Sequence, residues 1–571
     1  MKSFFRFCLV AFTAAVIFSS CSKSNDEGKM IPNNAVFITS LNTKSLNSKL
    51  SWEEIKQTNW FKHFYADDAT ADWMKKLMDD PEKSGIDIKA NAVFFVQASS
   101  GNNYNLVFEG SVKDEKAFAE FNKNLDPAST IKKDGEINLL PIKGKSVVGW
   151  NGKRFAYVSN SNSLQQAYRG EQDNQTNMGT EAEGTTSMLS FCKNLFSLKS
   201  DSSLAKNEKY ANLIADNGDI HTWINYEELI KNNAALGMLG MLKLDLFFKD
   251  NISTYTVSFD DGQVNVQQKS YAGKDFTDFL KKYEGNNLNA DMISSIPSQD
   301  VAAVFAMNYK PEGLKQLLTM SGLDGFLNSF IGQMGFSIND FVSANNGDLM
   351  VALTDLKLKT DSMNYQDDQG NPKSMTSIKP DLNYLFSVGI GDKQSFQKLM
   401  EAGKKISGEM GGGINTKYNL NDKTFAVGSD QAMINQYLKG GKNKFDFSDK
   451  LTGHPIGLFI DIHKILTVAN SDITKTDEDA KMMMDESLKI WKNVFFTGGE
   501  FKNGAINANT EINLMDQSVN SLKQLNQYFD KISKAALAKI EREKSSHEMT
   551  DSMMMPPPID TVPVDTGSVT P

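Results

Sequence analysis

The sequence predicts an α+β fold made of two tandem, internally duplicated modules of antiparallel hairpins packed with helices. Three observations lead there. Tyr255, Val257 and Phe259 alternate with polar residues, turn at Asp261-Gly262 and return through Val264 and Val266, the period-two pattern of a half-buried hairpin. Phe118, Phe121 and Leu125 repeat at helical spacing behind Asp114, whose carboxylate suits the free N–H groups of a first helical turn. Finally, six blocks recur in the same order when residues 32–285 are laid over residues 297–529.

From the N-terminus, Lys2 and Arg6 precede a mostly apolar run from Phe7 to Phe18, and Ser19-Ser20 lead into Cys21. A cationic start, a short apolar core and small residues before a cysteine predict a lipoprotein signal peptide over residues 1–20, with lipid on Cys21. The apolar run is too short to span a bilayer, which takes about 20 residues. Phe18 departs from the usual pattern, which has Leu three residues before the cysteine. A polar tether, 21–31, follows. Ser22 after the cysteine, rather than an aspartate, points to the outer membrane, on its periplasmic face or at the cell surface.

The first α+β repeat is expected over 32–290 and the second over 291–540. Pro32-Asn33-Asn34-Ala35-Val36-Phe37-Ile38 corresponds to Pro297-Ser298-Gln299-Asp300-Val301, each a buried strand feeding a helix. Gly85-Ile86-Asp87-Ile88 corresponds to Gly335-Phe336-Ser337-Ile338, ahead of the apolar strands Val93 to Val96 and Leu349 to Leu353. Asn105, Phe108, Asp114 and Phe118 fall without a gap on Asn383, Phe386, Asp392 and Phe396. Asn151, Lys153, Phe155 and Ala156 answer Asn421, Lys423, Phe425 and Ala426, and the strand at Ile220 answers the one at Gly457. Asp261-Gly262 and Asn503-Gly504 both suit the type I′ hairpin turn, whose central residues take positive φ. A period this long means duplicated domains rather than a short-repeat solenoid. Helices on one face of antiparallel hairpins complete the expected layers.

This layout resembles an uncharacterised family (a domain of unknown function) of envelope lipoproteins from Bacteroides-type bacteria. The resemblance rests on Ser20-Cys21, the Pro32-Asn33-Asn34-Ala35-Val36 opening and Gly85-Ile86-Asp87-Ile88. It implies an exported, lipid-anchored protein and carries over no activity or catalytic residue.

Where the copies differ, Arg169 to Ser187 is a polar insertion, and Lys357 to Lys379 replaces a tight turn at Ser99-Ser100-Gly101-Asn102; both are expected as exposed loops. Residues 541–571, rich in Met, Pro and Thr, are expected as a disordered tail. Ala234 to Leu242 and Ser321 to Gly335 are apolar nearly all round. They are read as buried helices at the junction of the halves, with a lipid pocket or a partner groove as the other reading.

A net charge of −9, from 61 basic and 70 acidic residues, argues against nucleic acid as a partner. Cys192 is left without a disulfide partner after Cys8 and Cys21 are assigned, and is expected to be a buried apolar residue. No catalytic residue, metal ligand set or cofactor is assigned. Gly144-Lys145-Ser146 lacks the first glycine of a phosphate loop, and Gly389-Ile390-Gly391 is expected to be a turn. His454, Asp461 and His463 are the nearest thing to a ligand set. Asp461 and His463 would point the same way in a strand, but a catalytic zinc would still need a third protein ligand, and His221 and His463 are not equivalent in the two copies. Asp367, Asp368 and Asn371 do not follow the spacing of a calcium loop. Met482-Met483-Met484 suit a helix surface or core more than soft copper. Trp52, Trp60 and Trp73 are expected in the core before any sugar platform. The expected function is a non-catalytic binding or assembly module attached to the membrane by its N-terminal lipid. The alternatives are a carboxylate-based, glycan-directed envelope hydrolase and an apolar-ligand or lipid-binding protein.

Overall fold

The computed structural model of the protein describes residues 27–66, 72–99, 103–161, 181–231, 244–333, 335–366, 369, 372–409, 417–473 and 478–554. It is an α+β structure with one antiparallel sheet of 18 strands. The first half supplies β1 (Ala35–Leu41), β2 (Ala92–Ala98), β3 (Tyr104–Ser111), β4 (Lys132–Asp134), β5 (Ile137–Ile142), β6 (Ser146–Trp150), β7 (Arg154–Asn160), β8 (Ile220–Asn225), β9 (Ile252–Asp260) and β10 (Gln263–Tyr271). The second supplies β11 (Val301–Asn308), β12 (Asn345–Gln366), β13 (Pro372–Ile390), β14 (Lys417–Leu420), β15 (Thr424–Gly428), β16 (Ile456–Ile460), β17 (Trp491–Lys502) and β18 (Ala505–Leu514).

Followed by hydrogen-bonded neighbours, the first half runs β4-β5-β6-β7-β3-β2-β1-β8-β9-β10. The second runs β14-β15-β13-β12-β11-β16-β17-β18. From β6 onward the two orders match strand for strand. β10 and β18 then pair antiparallel, from Gln263 opposite Asn513 to Ser270 opposite Ile506, and join the halves into one sheet.

Local geometry repeats as well. Asn151 Oδ1 accepts from the N–H groups of Lys153 (3.0 Å) and Arg154 (2.9 Å), shaping the β6–β7 turn. Asn421 Oδ1 accepts from Lys423 and Thr424, both at 2.9 Å, in the β14–β15 turn. Asp114 caps the helix Glu115–Leu125, and Asp392 accepts from the Ser395 N–H at the start of Lys393–Glu409. Gly85 and Gly335 both take positive φ, +78° and +76°.

Four expectations need correction. Helices were expected on one face of the sheet, yet the first half is covered on both. On one face Leu41, Leu140, Trp150 and Phe155 meet Leu46, Leu50, Ile55, Trp60 and Phe118. On the other, Ile38, Val93, Phe95, Val107 and Trp223 meet Met188, Cys192, Leu195 and Leu213. Strands with side chains buried on both faces read as continuous apolar runs, as in Ala35 to Ile38 and Ala92 to Val96. Of the two predicted type I′ turns, Asn503-Gly504 has both residues at positive φ, whereas at Asp261-Gly262 only Gly262 does. There the segment after β18 holds the turn, with the Gly262 N–H donating to Val519 O at 2.9 Å and its carbonyl accepting from the Leu514 N–H at 2.8 Å.

Gly389 and Ile390 belong to β13, leaving Gly391, with Asp392, between strand and helix. The last helix, Ser521–Met554, continues past residue 540, where the tail was placed. It bridges the halves: Leu522 joins the first-half core of Trp60 and Phe118, while Tyr528 meets Ser487 and Trp491, and Lys531 pairs with Glu486, in the second half. Asp530 accepts from the N–H groups of Asn59 and Trp60 at the start of the helix Asn59–Ala66, and from Asn59 Nδ2 at 2.8 Å.

Candidate functional site

Three features stand outside what the fold itself uses. The first is an arm. From Lys357 opposite Asp381 to Gln366 opposite Pro372, β12 and β13 run on as a two-stranded ribbon beyond the sheet. At about 3.4 Å per residue it extends roughly 30 Å. This replaces the exposed loop expected over Lys357 to Lys379; Thr360, Tyr365, Thr376 and Ile378 are strand formers, and cross-strand pairing satisfies the inward-facing half of the ribbon's backbone groups. Asp367, Asp368 and Asn371 lie outside the described residues. One arm face carries the exposed Met363 directly opposite Met375, with Tyr365 beyond them. Lys379 Nζ and Asp361 pair at 3.0 Å lower down.

The arm's root is held by hydrogen bonds. Asp355, at φ +55°, sits at a register shift in β12. Its carboxylate accepts from Ser298 Oγ (2.7 Å), Thr354 Oγ1 (2.8 Å) and Asn383 Nδ2 (3.1 Å). Burial pushes this carboxyl's pKa upward, but those hydrogen bonds and the Lys357 charge outweigh it, so the group is held below the usual aspartate range.

The second feature is an apolar helix surface. The helix Asp324–Gly332 leaves Phe326 75% and Phe330 60% exposed, against the expectation that Ser321 to Gly335 is buried. Ala234 to Leu242 lie outside the described residues.

The third feature is a buried charge. Glu109, in β3, is fully enclosed with Arg154 Nη2 at 3.7 Å, and neither carboxyl oxygen has a hydrogen bond within the protein. Desolvation pushes its pKa up to about 7; Arg154 opposes that rise and Glu27 adds to it. Glu27 is itself raised by burial, against its hydrogen bond from Asn91 and the Arg154 charge. The phenol of Tyr210, on the helix Glu208–Ala215, feels the same three charges. Sequence reading passed over this group, although a glutamate inside Leu106-Val107-Phe108-Glu109 breaks an apolar run. Glu27 ties the start of the described chain to this cluster.

An open cleft of about 490 Å³ lies among the first-half helices, lined in part by Trp52, Glu53, Asp79, Glu82 and Lys89. Glu53 pairs with Lys56 at 2.6 Å, Glu82 with Lys113 at 3.0 Å, and Asp79 accepts from the Tyr65 hydroxyl at 3.0 Å. Its acids therefore serve local ion pairs and hydrogen bonds.

The residues weighed in the sequence are dispersed. Asp461 caps the helix Ile462–Ile473, accepting from the Lys464 N–H at 2.8 Å, and His463 is helical. The strand geometry that would align the two does not exist. His454 Nδ1 contacts Glu500, and His221 is buried with Nε2 3.0 Å from Asp216 O. Among the described residues no group of three or more His, Cys, Asp or Glu is placed to hold a metal. Met482 to Met484 lie on the helix Glu478–Ile490. Trp52 donates to Met78 O and Trp60 to Asn526 Oδ1, both within the core; the Trp73 side chain lies outside the described residues. Gly144 turns β5 into β6 at φ +64° after Lys143 at +47°.

Cys192 is buried against Gly149, and burial pushes its thiol up to about 12. Cys21 lies outside the described residues, as do 169–180 of the first-half insertion; its end, from Glu181, opens a helix. No described helix is long and apolar enough to cross a membrane.

Fold and site together define an α+β scaffold with one open sheet and a projecting arm. The chain belongs to the family described as Domain of unknown function (DUF4836), which matches residues 28–366. The match covers the whole first half and ends with β12, at the tip of the arm. No curated protein and no solved structure matches the chain.

Proposed function

We propose that this chain is a lipid-anchored protein of the cell envelope, held at the outer membrane through Cys21 and acting as a non-catalytic binding or assembly module. The observation that carries the binding role is the arm, whose Met363, Met375 and Tyr365 cluster stays exposed at the end of a ribbon braced at Asp355. Exposed apolar side chains on an extended element with a hydrogen-bonded root suit docking to a partner better than chemistry on a small substrate. The leader pattern and the resemblance to lipoproteins of Bacteroides-type bacteria support the anchor. Six residues from Cys21 to Asp26 would reach about 20 Å when extended, keeping the body close to the bilayer. The matched strand orders support descent of the two halves from one duplicated module.

Three measurements test this reading. Intact mass of the protein from its native host is expected to show the leader removed and acyl chains on Cys21, and Cys21→Ser is expected to release the protein from membranes. Photo-crosslinking from position 363 or 375 on whole cells is expected to trap an envelope component. A retained leader with a free thiol contradicts the anchor, and arm positions that label no more than a position on the helix Gln431–Lys439 contradict the binding role.

A further inference from the structure

The two halves end differently. In the first, β6 is flanked by β7 on one side and β5 on the other, and β4 closes the sheet with Lys132, Lys133 and Asp134 exposed. Short, charged edges of this kind resist further pairing. In the second half β14 stands where β6 does, and among the described residues it pairs with β15 alone. Residues 410–416, which precede β14, lie outside the described residues.

Side-chain exposure follows this difference. The β6–β7 and β14–β15 registers place Val148 opposite Tyr157 and Trp150 opposite Phe155, against Tyr418 opposite Val427 and Leu420 opposite Phe425. Val148 and Trp150 are 0% and 1% exposed, beside Leu140 of β5. Tyr418 and Leu420 are 42% and 45% exposed. The lysine at this edge does not guard it, since Lys417 Nζ turns back to Ser429 O at 3.0 Å. The Leu420 N–H is occupied by the side chain of its neighbour, Asn419 Oδ1, at 2.8 Å.

We infer that the free edge of β14 is a strand-accepting site, filled by an extended segment of a partner polypeptide that adds antiparallel and covers Tyr418 and Leu420 as β5 covers Val148 and Trp150. The occupant's chemistry is that of β5: about six residues, mostly apolar, and uncharged on the face that meets the two exposed side chains, where β5 presents Asn138 to Trp150 and Leu140 to Val148. Backbone hydrogen bonds would supply affinity and alternate side chains specificity, the logic of strand addition. This site does not depend on the anchor at Cys21 and is separate from the arm.

The probe is a peptide with the sequence of residues 134–145, which contains β5, added in excess to the full chain during amide hydrogen exchange. Saturable slowing of exchange over 417–420 by at least about tenfold is expected, without change in β4 to β6. Leu420→Pro, which removes the outward N–H that an added strand would have to take over from Asn419 Oδ1, and separately Tyr418→Lys with Leu420→Lys, are expected to abolish the slowing at unchanged melting temperature. Absence of slowing, or equal slowing in the lysine variant, overturns the inference. So does a chain that is dimeric by itself with 417–420 already protected, because a second copy would then be the occupant.

Discussion

Glu109 is the residue at which burial and charge conflict most directly. Its carboxyl has a folded pKa near 7 against a usual value of 4.5, so between those values the folded state holds a proton that the unfolded state has lost. Stability therefore falls as pH rises from about 4.5 to about 7, and then levels off. Chemical denaturation across that range is expected to show a slope that Glu109→Gln flattens, with the variant more stable at pH 8 by on the order of 3 kcal/mol. A wild-type profile without that slope would mean that Arg154 neutralises the pair in full.

At the other extreme stands Cys192, whose raised pKa and burial against Gly149 predict no reaction with thiol reagents until the chain unfolds. Its burial was legible from Phe191 and Leu195 on either side. The charge cluster was not, because Glu27, Glu109 and Arg154 meet only through strand pairing and the N-terminal segment.

Among the elements, the last helix and the arm have opposite energetic roles. Asp530 supplies the first-turn acceptor of a helix more than 400 residues earlier, since it bonds both Asn59 and Trp60. Asp530→Ala is expected to cost about 1 kcal/mol, the usual loss for an N-cap, measurable by urea denaturation. Phe118→Ala, which empties the ring cluster with Trp150 and Phe155, is expected to cost about 3–5 kcal/mol. Replacing Lys359 to Lys379 by Asn-Gly is expected to leave the melting temperature within about 2 °C, because exposed elements contribute little, while removing the crosslinks made from the arm. Hairpin pairs such as Tyr255 to Val266 were legible because alternation writes itself into sequence. The arm was not, because the face that carries Met363 and Tyr365 also carries Lys357, Lys359 and Asp361, so no period-two apolar pattern marks the ribbon. The helix Asp324–Gly332 misled for a related reason, since apolar content alone does not say whether a surface is covered.

For the whole molecule, the decisive feature is the seam between β10 and β18. One face of that seam pairs Gln263 with Asn513, Asn265 with Glu511 and Gln267 with Asn509, so in sequence each strand reads as the polar edge of its own half. Backbone pairing across it leaves no side-chain signature, which is why the fusion of the halves was not legible. Both the braced arm and the open edge at β14 take their meaning from this arrangement of two like halves in one sheet. The most direct test is a cysteine pair at Gln267 and Asn509, directly opposed across the seam, in the chain from Ser22 onward with Cys192→Ala. Mild oxidation is expected to close an intramolecular disulfide in nearly all molecules, shown by intact mass and by faster migration on denaturing gels. Thiols that stay free, or that join only between molecules, would contradict the single continuous sheet.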